Sequence, residues 1–300
     1  MGQAKVIIMT SHQESEIDKS VVAEIYSPLP LTRLLFNYGM TVVAFLLSAI
    51  ALIPLLSLLW EIIGRGIKNL KPSMFVTPVI YDGFGNAIVG TLIMVAIASV
   101  FSVPTGIMTG IFLSEIGKGT RIGQAVRFIA SILTGVPSIV VGIFAFGVIV
   151  LITKQFSTIA GGFALAVLML PIVVLTTEEA LKLVPTSMRL GSAALGGTRF
   201  QTTFRVVVTA ALPAITTGVL LAVARASGET APLIFTALFS LDWSRELIGP
   251  TASLSVLIFN LYNDPTPEKT ALVWTASLVL VGIVMFISIV SRIFTRRKNA

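Results

Sequence analysis

The 300-residue sequence has no cysteine and a single histidine, His12. No disulfide, thiolate metal site or cysteine nucleophile can be built from it. The histidine lies in a polar stretch and is read neither as a metal ligand nor as a catalytic base, so no metal and no catalytic residue is expected. Charge is also scarce. Asp, Glu, Lys and Arg make up 12% of the chain, about half of the roughly 25% of a soluble domain. So few charges cannot coat a water-facing surface. Residues 1–36 are mixed and polar and lack the apolar core of a secretory leader, so they are expected to form a cytoplasmic N-terminal tail. No G-x-x-x-x-G-K-[ST] run occurs, so no loop is available to cradle nucleotide phosphates. Any ATP that drives this chain is bound by another polypeptide.

What is present is apolar. Hydrophobic residues make up 55% of the chain and the mean hydropathy is +0.95. A helix needs roughly 20 uncharged apolar residues to cross hydrocarbon. Six stretches, uncharged except for Arg225 and Glu229 in the fifth, come close to that demand: Tyr38 to Trp60, Ile88 to Leu113, one between Arg127 and Lys154, Ile159 to Thr176, Leu212 to Phe239, and Leu272 to Ser291. The expected fold class is an all-α integral membrane protein with six transmembrane helices over residues 37–291. A basic tail, 292–300, follows. The net charge of +7 suggests nucleic acid at first sight. Its cations sit between the apolar runs, however, so membrane lipid is the expected neighbour and nucleic acid is not.

Charge placement gives the helices a direction. With the N-terminus inside, fourteen of the 21 cations fall on cytoplasmic segments and six on external ones. The excess puts both termini in the cytoplasm. Trp60, Trp243 and Trp274 then all fall on the external side, where indoles suit the interface. The external segment Ser240 to Lys269 contains an apolar piece, Leu254 to Leu261, too short to span. It is expected to be an interfacial or re-entrant helix.

The cytoplasmic loop 177–211 carries the strongest local signals. Pro185 suits a helix start, Thr186 to Leu195 follow as helix, and Gly196-Gly197 break it. A second helix resumes near Thr198 and runs into span five. Two readings fit this pattern: a rigid lever held at an angle to the membrane, and an amphipathic connector lying on its surface. Glu178-Glu179 before it read as a solvated helix face.

Inside the spans, only Arg225 and Glu229 are charged and deep. Four residues apart on one helix, they share a face about 6 Å apart. An unpaired charge there costs at least ~3 kcal/mol, so both must face the bundle interior or a wet cavity. Either Arg225 meets a translocating anion with Glu229 holding it, or the two form a purely internal pair. Gly135-Val136-Pro137-Ser138 breaks span three and frees backbone groups beside protein or water. Pro104, Gly106 and Pro171 read as kinks and close-packing points.

The loop resembles the EAA loop of importer-type ABC permeases. Gly196 matches the loop glycine, Leu212-Pro213 the downstream Leu-Pro, and Gly196 to Thr202 resemble the family's Gly-Ala-Thr-Arg-Trp-Gln-Thr. The family's glutamate falls on Leu190 and its first loop proline on Thr209. Asn86 to Thr91, Thr134 to Gly142 and Ala224 to Leu233 resemble one branch, the A-type permeases of bacterial phosphate importers. The resemblance implies a multi-pass subunit of the prokaryotic inner membrane that forms half of a pathway for inorganic phosphate. Its implied partners are a homologous C-type permease, an ABC ATPase dimer holding ATP and Mg, and an extracytoplasmic phosphate-binding protein. It implies ATPase-coupling residues Pro185, Ser187, Arg189, Ser192, Gly196, Gly197, Thr198 and Arg199. It also implies pathway residues Arg225, Glu229, Ser138 and Thr230. Permeation of molybdate or sulfate, and a self-sufficient secondary transporter, remain as alternatives. A membrane-embedded enzyme is disfavoured, because the spans contain no histidine or metal-ligand set.

Overall fold

The computed structural model describes residues 30–244 and 246–296, with side chains through residue 290. The chain divides into two compact units, 1–60 and 61–300. The first holds the early part of helix α1, Leu31–Asn69, which begins inside the expected tail and carries almost only exposed apolar side chains. The rest of that tail, with His12, lies outside the described residues, as do residues 297–300 of the basic C-terminal tail.

The second unit begins with the end of α1, where Arg65 stacks over the Trp274 ring at 5.1 Å. Two 3-10 turns, Pro72–Phe75 and Val79–Tyr81, then lead to α2, Gly85–Ile111, which runs on through a π turn at Phe112–Ile116. There follow α3, Arg121–Gly135, and α4, Ser138–Ala145, the latter prolonged to Thr153. Helices α5, Thr158–Lys182, and α6, Thr186–Ala194, come next. The remaining helices are α7, Arg199–Ser227; α8, Ala231–Thr236; α9, Leu254–Leu261; and α10, Pro267–Arg296. Among the described residues five helices are long and apolar enough to cross a membrane, and six spans result if α3 and α4 count as one.

The core forms where α2, α5 and α7 meet. Met94, Ala98, Leu165, Met169, Val173 and Ala222 are buried there. Small residues let the backbones approach. A Cβ on Gly106 would lie 2.7 Å from Val173 Cγ1, and one on Gly110 2.6 Å from Thr177 Cβ. The close-packing role expected of Gly106 is what the structure has. In lipid, where tails are as apolar as leucine, such close contact supplies much of the association energy.

One span expectation is sharpened and one is corrected. The break expected at Gly135 to Ser138 in the third is a sharp bend, where α3 and α4 meet at 106°. Val136 is extended (φ −69°, ψ 129°) because it precedes Pro137, whose ring disfavours the helical region for its neighbour. The fifth does not reach Phe239. Helix α7 starts at Arg199, well before Leu212, and stops at Ser227. Gly228 ends it, and Pro232 suits the second position of a new helix, α8, where no N–H is needed. The long cytoplasmic loop shrinks in turn, since α5 reaches Lys182 and α7 begins at Arg199.

The external segment folds back onto this core. Helix α9 has the bounds expected of the short apolar piece, and Leu254 to Leu257 are buried. Leu254 N–H donates to Thr91 Oγ1 at 3.0 Å. Asn86 accepts from Val79 N–H at 3.3 Å and donates to the Ser240 and Asp242 carbonyls at 3.2 and 3.1 Å. Thus the Asn86 to Thr91 stretch fastens the external loop.

Candidate functional site

The cytoplasmic lever is built from local rules. Pro185 (φ −58°, ψ 141°) precedes α6 and cannot donate a backbone bond, so the helix starts there. Gly196 ends it at φ +78°, a left-handed conformation that costs a residue with a Cβ about 1 kcal/mol or more. Gly196 N–H reaches the Ala193 carbonyl and Gly197 N–H the Ser192 carbonyl, each at 3.0 Å. A Cβ on Gly197 would meet the Ser192 carbonyl oxygen at 2.8 Å, so the second glycine is needed for close approach. Thr198 then caps α7. Its hydroxyl accepts from Gln201 N–H at 3.2 Å and the Gln201 side chain accepts from Thr198 N–H at 3.0 Å. Ser192 and Thr202 hydroxyls join at 2.8 Å across the turn. The hinge is therefore pinned on both sides.

The residues assigned to coupling separate into two sets. Pro185, Ser187, Gly196, Thr198 and Arg199 are exposed, while Arg189, Ser192 and Gly197 are half-buried. Arg189 turns inward. Its guanidinium donates to the Val184 carbonyl at 2.5 Å, the Leu181 carbonyl at 3.0 Å and Glu115 Oε1 at 2.9 Å. One of these carbonyls, Leu181, lies in the last turn of α5 and the other, Val184, just beyond its end, a common place for a cation. The outward surface instead presents Leu190, Leu195 and Phe200, exposed at 66%, 90% and 70%. The sequence signal for these three was simple: large apolar residues in a polar loop.

A second ion cluster lies behind the lever. Glu178 is fully buried and joins Arg127 Nε at 2.8 Å, Arg127 Nη2, and Lys182 at 2.9 Å. The reading of Glu178-Glu179 as a solvated face is thus half corrected. Glu179 is exposed and pairs with Lys182 at 2.8 Å, but one helical residue earlier the side chain points at α3. Arg127 ties the start of the bent pair to the end of α5. Sequence separation of 51 residues hid this partner.

At the other end of α7, Arg225 Nε and Glu229 Oε1 lie 3.5 Å apart. They are not on one helix, because α7 has ended between them. Arg225 sits in the last turn and is 60% exposed, whereas Glu229 is 18% exposed. Ser255 Oγ donates to the Glu229 carbonyl at 2.8 Å, which ties this break to α9. Thr230 precedes α8 and its carbonyl accepts from Leu233 N–H at 3.1 Å. Ser138 opens α4, and one turn on, a Cβ at Gly142 would meet Pro232 Cα at 2.7 Å. Ser138 and Thr230 therefore belong to neighbouring packed segments. Arg225 continues an exposed stripe on α7 through Ala210, Ala214, Thr217 and Leu221. A guanidinium cannot face hydrocarbon without a cost of ~3 kcal/mol or more. The stripe must face water or another protein.

Among the described residues no group of three or more His, Cys, Asp or Glu is placed to hold a metal ion.

Residues 102–300 match the family of binding-protein-dependent transport system inner membrane components. The phosphate transport system permease protein PstA of Yersinia pestis is 39% identical over 251 residues, 82% of this chain and 85% of that protein. PstA of Pasteurella multocida is 34% identical, covering 89% and 97% respectively. PstA 1 of Mycobacterium tuberculosis is 35% identical, covering 94% and 96%. In fold, an inward-facing structure of the MetNI methionine ABC transporter superposes with a TM-score of 0.60, at 20% identity, over 76% of this chain and 99% of that one.

Proposed function

We propose, from the premise that this chain belongs to the binding-protein-dependent inner membrane components and among them to the phosphate transport system permeases, that it forms half of a pathway for inorganic phosphate. It is a permease subunit of the bacterial inner membrane, not an enzyme in itself. A homologous C-type permease supplies the other half, an extracytoplasmic binding protein delivers phosphate, and an ABC ATPase dimer holding ATP and Mg drives the cycle.

The observation that carries the pathway reading is the exposure of Arg225 against the burial of its partner. A guanidinium committed only to an internal pair gains nothing from being on the surface of its chain. One turned outward at the end of a helix, with Glu229 as a lateral support, presents its fork to a tetrahedral oxyanion. The small side chains of Ala210, Ala214 and Thr217 in the α7 stripe leave room for a passing ion. Ser138 and Thr230, on the segments where α4 and α8 pack together, are the hydroxyls assigned to the same pathway.

The coupling reading rests on α6. Leu190, Leu195 and Phe200 form an apolar surface suited to a groove on the ATPase. Leu190 stands where the family has glutamate, so docking here draws on apolar burial more than on charge. Arg189, Ser192 and Gly197 shape the lever from within.

Reconstitution of the four-component importer tests the pathway. Arg225→Ala is expected to abolish phosphate uptake while the complex still assembles, and Arg225→Lys to retain only a small part of it. Normal uptake by Arg225→Ala would defeat the assignment. Sulfate or molybdate stimulating ATP hydrolysis as well as phosphate would replace the substrate.

A further inference from the structure

Between the lever and the membrane helices lies a cavity of about 510 Å³. Lys118, Arg127, Lys182 and Arg189 line it, with Glu115 and Thr186. Four cations around one carboxylate make an unusual wall for a chain that is 12% charged. Three of them are engaged: Arg127 and Lys182 with Glu178, Lys182 also with Glu179, and Arg189 with Glu115. Lys118 has no ion-pair partner among the described residues. Arg127 spends Nε and Nη2 on one oxygen of Glu178, so its third nitrogen, Nη1, is not used in that pair, and the residue lines the cavity. Thr186 opens α6, where the first backbone N–H groups lack helical acceptors and the helix end carries partial positive charge. The wall is thus rich in unused donors, and Glu115 is its one lining acceptor charge.

We propose that this cavity is a cytoplasmic binding site for a small phosphate-class oxyanion, which competes with Glu115 for Arg189. The guanidinium is fixed by the Leu181 and Val184 carbonyls and stays in place when its third acceptor changes. Glu115, on the π turn that ends α2, is the acceptor that an incoming anion displaces. An anion held by Lys118, the Arg127 edge and the start of α6 takes over Arg189 and releases the end of α2 from the lever. Occupancy therefore loosens the link between ATPase docking and the membrane helices, a brake set by anion on the inner side. The shared chemistry fits free phosphate and a lipid headgroup alike.

Because the chain has no cysteine, Thr186→Cys gives a single thiol in this subunit. In the assembled complex in phosphatidylcholine vesicles, inorganic phosphate is expected to slow labelling of that thiol relative to chloride at equal ionic strength. Lys118→Gln is expected to raise the phosphate needed about tenfold, the loss of one charged hydrogen bond. Slow labelling in phosphatidylglycerol vesicles without phosphate would assign the occupant as a headgroup at the same site. Equal labelling rates in every condition would overturn the site. The brake rests on the importer reading, and is tested separately by the ratio of ATP hydrolysed to phosphate imported in proteoliposomes with phosphate on the nucleotide side, normalised to each variant's ratio without it. A rise in that ratio that Lys118→Gln relieves supports the brake. An unchanged ratio, or a rise that Lys118→Gln leaves in place, overturns the brake, while thiol protection stands or falls by itself.

Discussion

Arg189 on the short helix α6 lies 2.9 Å from Glu115 at the end of α2, across 74 residues of sequence. The same guanidinium closes the end of α5 through two carbonyls. One side chain therefore joins the lever to two membrane helices.

Replacing either partner should separate ATP hydrolysis from transport. Arg189→Ala takes the guanidinium donor from the Val184 carbonyl and one of the donors from the Leu181 carbonyl and from Glu115, a loss of about 1–3 kcal/mol. Glu115→Gln removes only one acceptor charge and should cost less. The expected result is a higher ratio of ATP hydrolysed to phosphate imported for both, larger for Arg189→Ala. The ratio is read in proteoliposomes, with assembly checked by co-purification of the ATPase. An unchanged ratio in both variants would refute the linkage.

Glu178 and Arg127 predict an asymmetry. Glu178 is fully buried, while the Arg127 side chain is 40% exposed. Removing the arginine strands a buried carboxylate that retains only Lys182, whereas Glu178→Gln keeps shape and one acceptor and leaves its cations in reach of water. Arg127→Ala should therefore lower the thermal midpoint of the detergent-solubilised complex more than Glu178→Gln does. The reverse order would mean that the carboxylate is better solvated than its burial indicates.

At the external face, Asn86 makes three hydrogen bonds and Gly90 lies against the Ala252 carbonyl. Asn86→Ala should loosen the segment around residues 240–253 at a cost of about 1–3 kcal/mol. Gly90→Val should do more, because its added atoms would meet the Ala252 backbone carbonyl as well as the Thr251 methyl. Protease added to the outside of spheroplasts should cut this segment faster in both variants. Wild-type cutting rates in Gly90→Val would show that the close approach is unimportant.

Asp264 gives a pH prediction. Its carboxylate accepts the Thr266 hydroxyl and the Thr266 N–H at 2.9 Å, and these bonds hold its pKa below the ordinary value. A carboxyl depressed in the folded state contributes stability that is full above its unfolded pKa and lost as pH falls through the folded one. The turn before α10 should therefore hold at neutral and mildly acidic pH and weaken only below the usual carboxylate range. Asp264→Asn should flatten that acidic slope in a thermal-melt series. A slope at neutral pH in the wild type would contradict the assignment.

The amino-acid sequence alone determined what can be decided within one contiguous segment. Apolar length marked the membrane helices, because lipid admits only runs that satisfy their own backbone. The Gly196-Gly197 break, the Thr198 start and the bounds of α9 followed from caps and turns, which act over a few residues. The resemblance in the loop and around Arg225 pointed to the family that the relatives show.

Tertiary structure alone decided what depends on a neighbour distant in sequence. Nothing local separates Glu178 from Glu179, since only the approach of Arg127 makes one buried and the other solvated. Arg189 reads as an outward coupling residue until Glu115 and the α5 carbonyls surround it. The end of α7 between Arg225 and Glu229 was hidden because hydropathy continues through Gly228 into α8, and an apolar run does not report a break in its own helix. The 106° bend at Val136-Pro137 was half legible: proline predicts an interruption, but the angle is set by what α3 and α4 pack against.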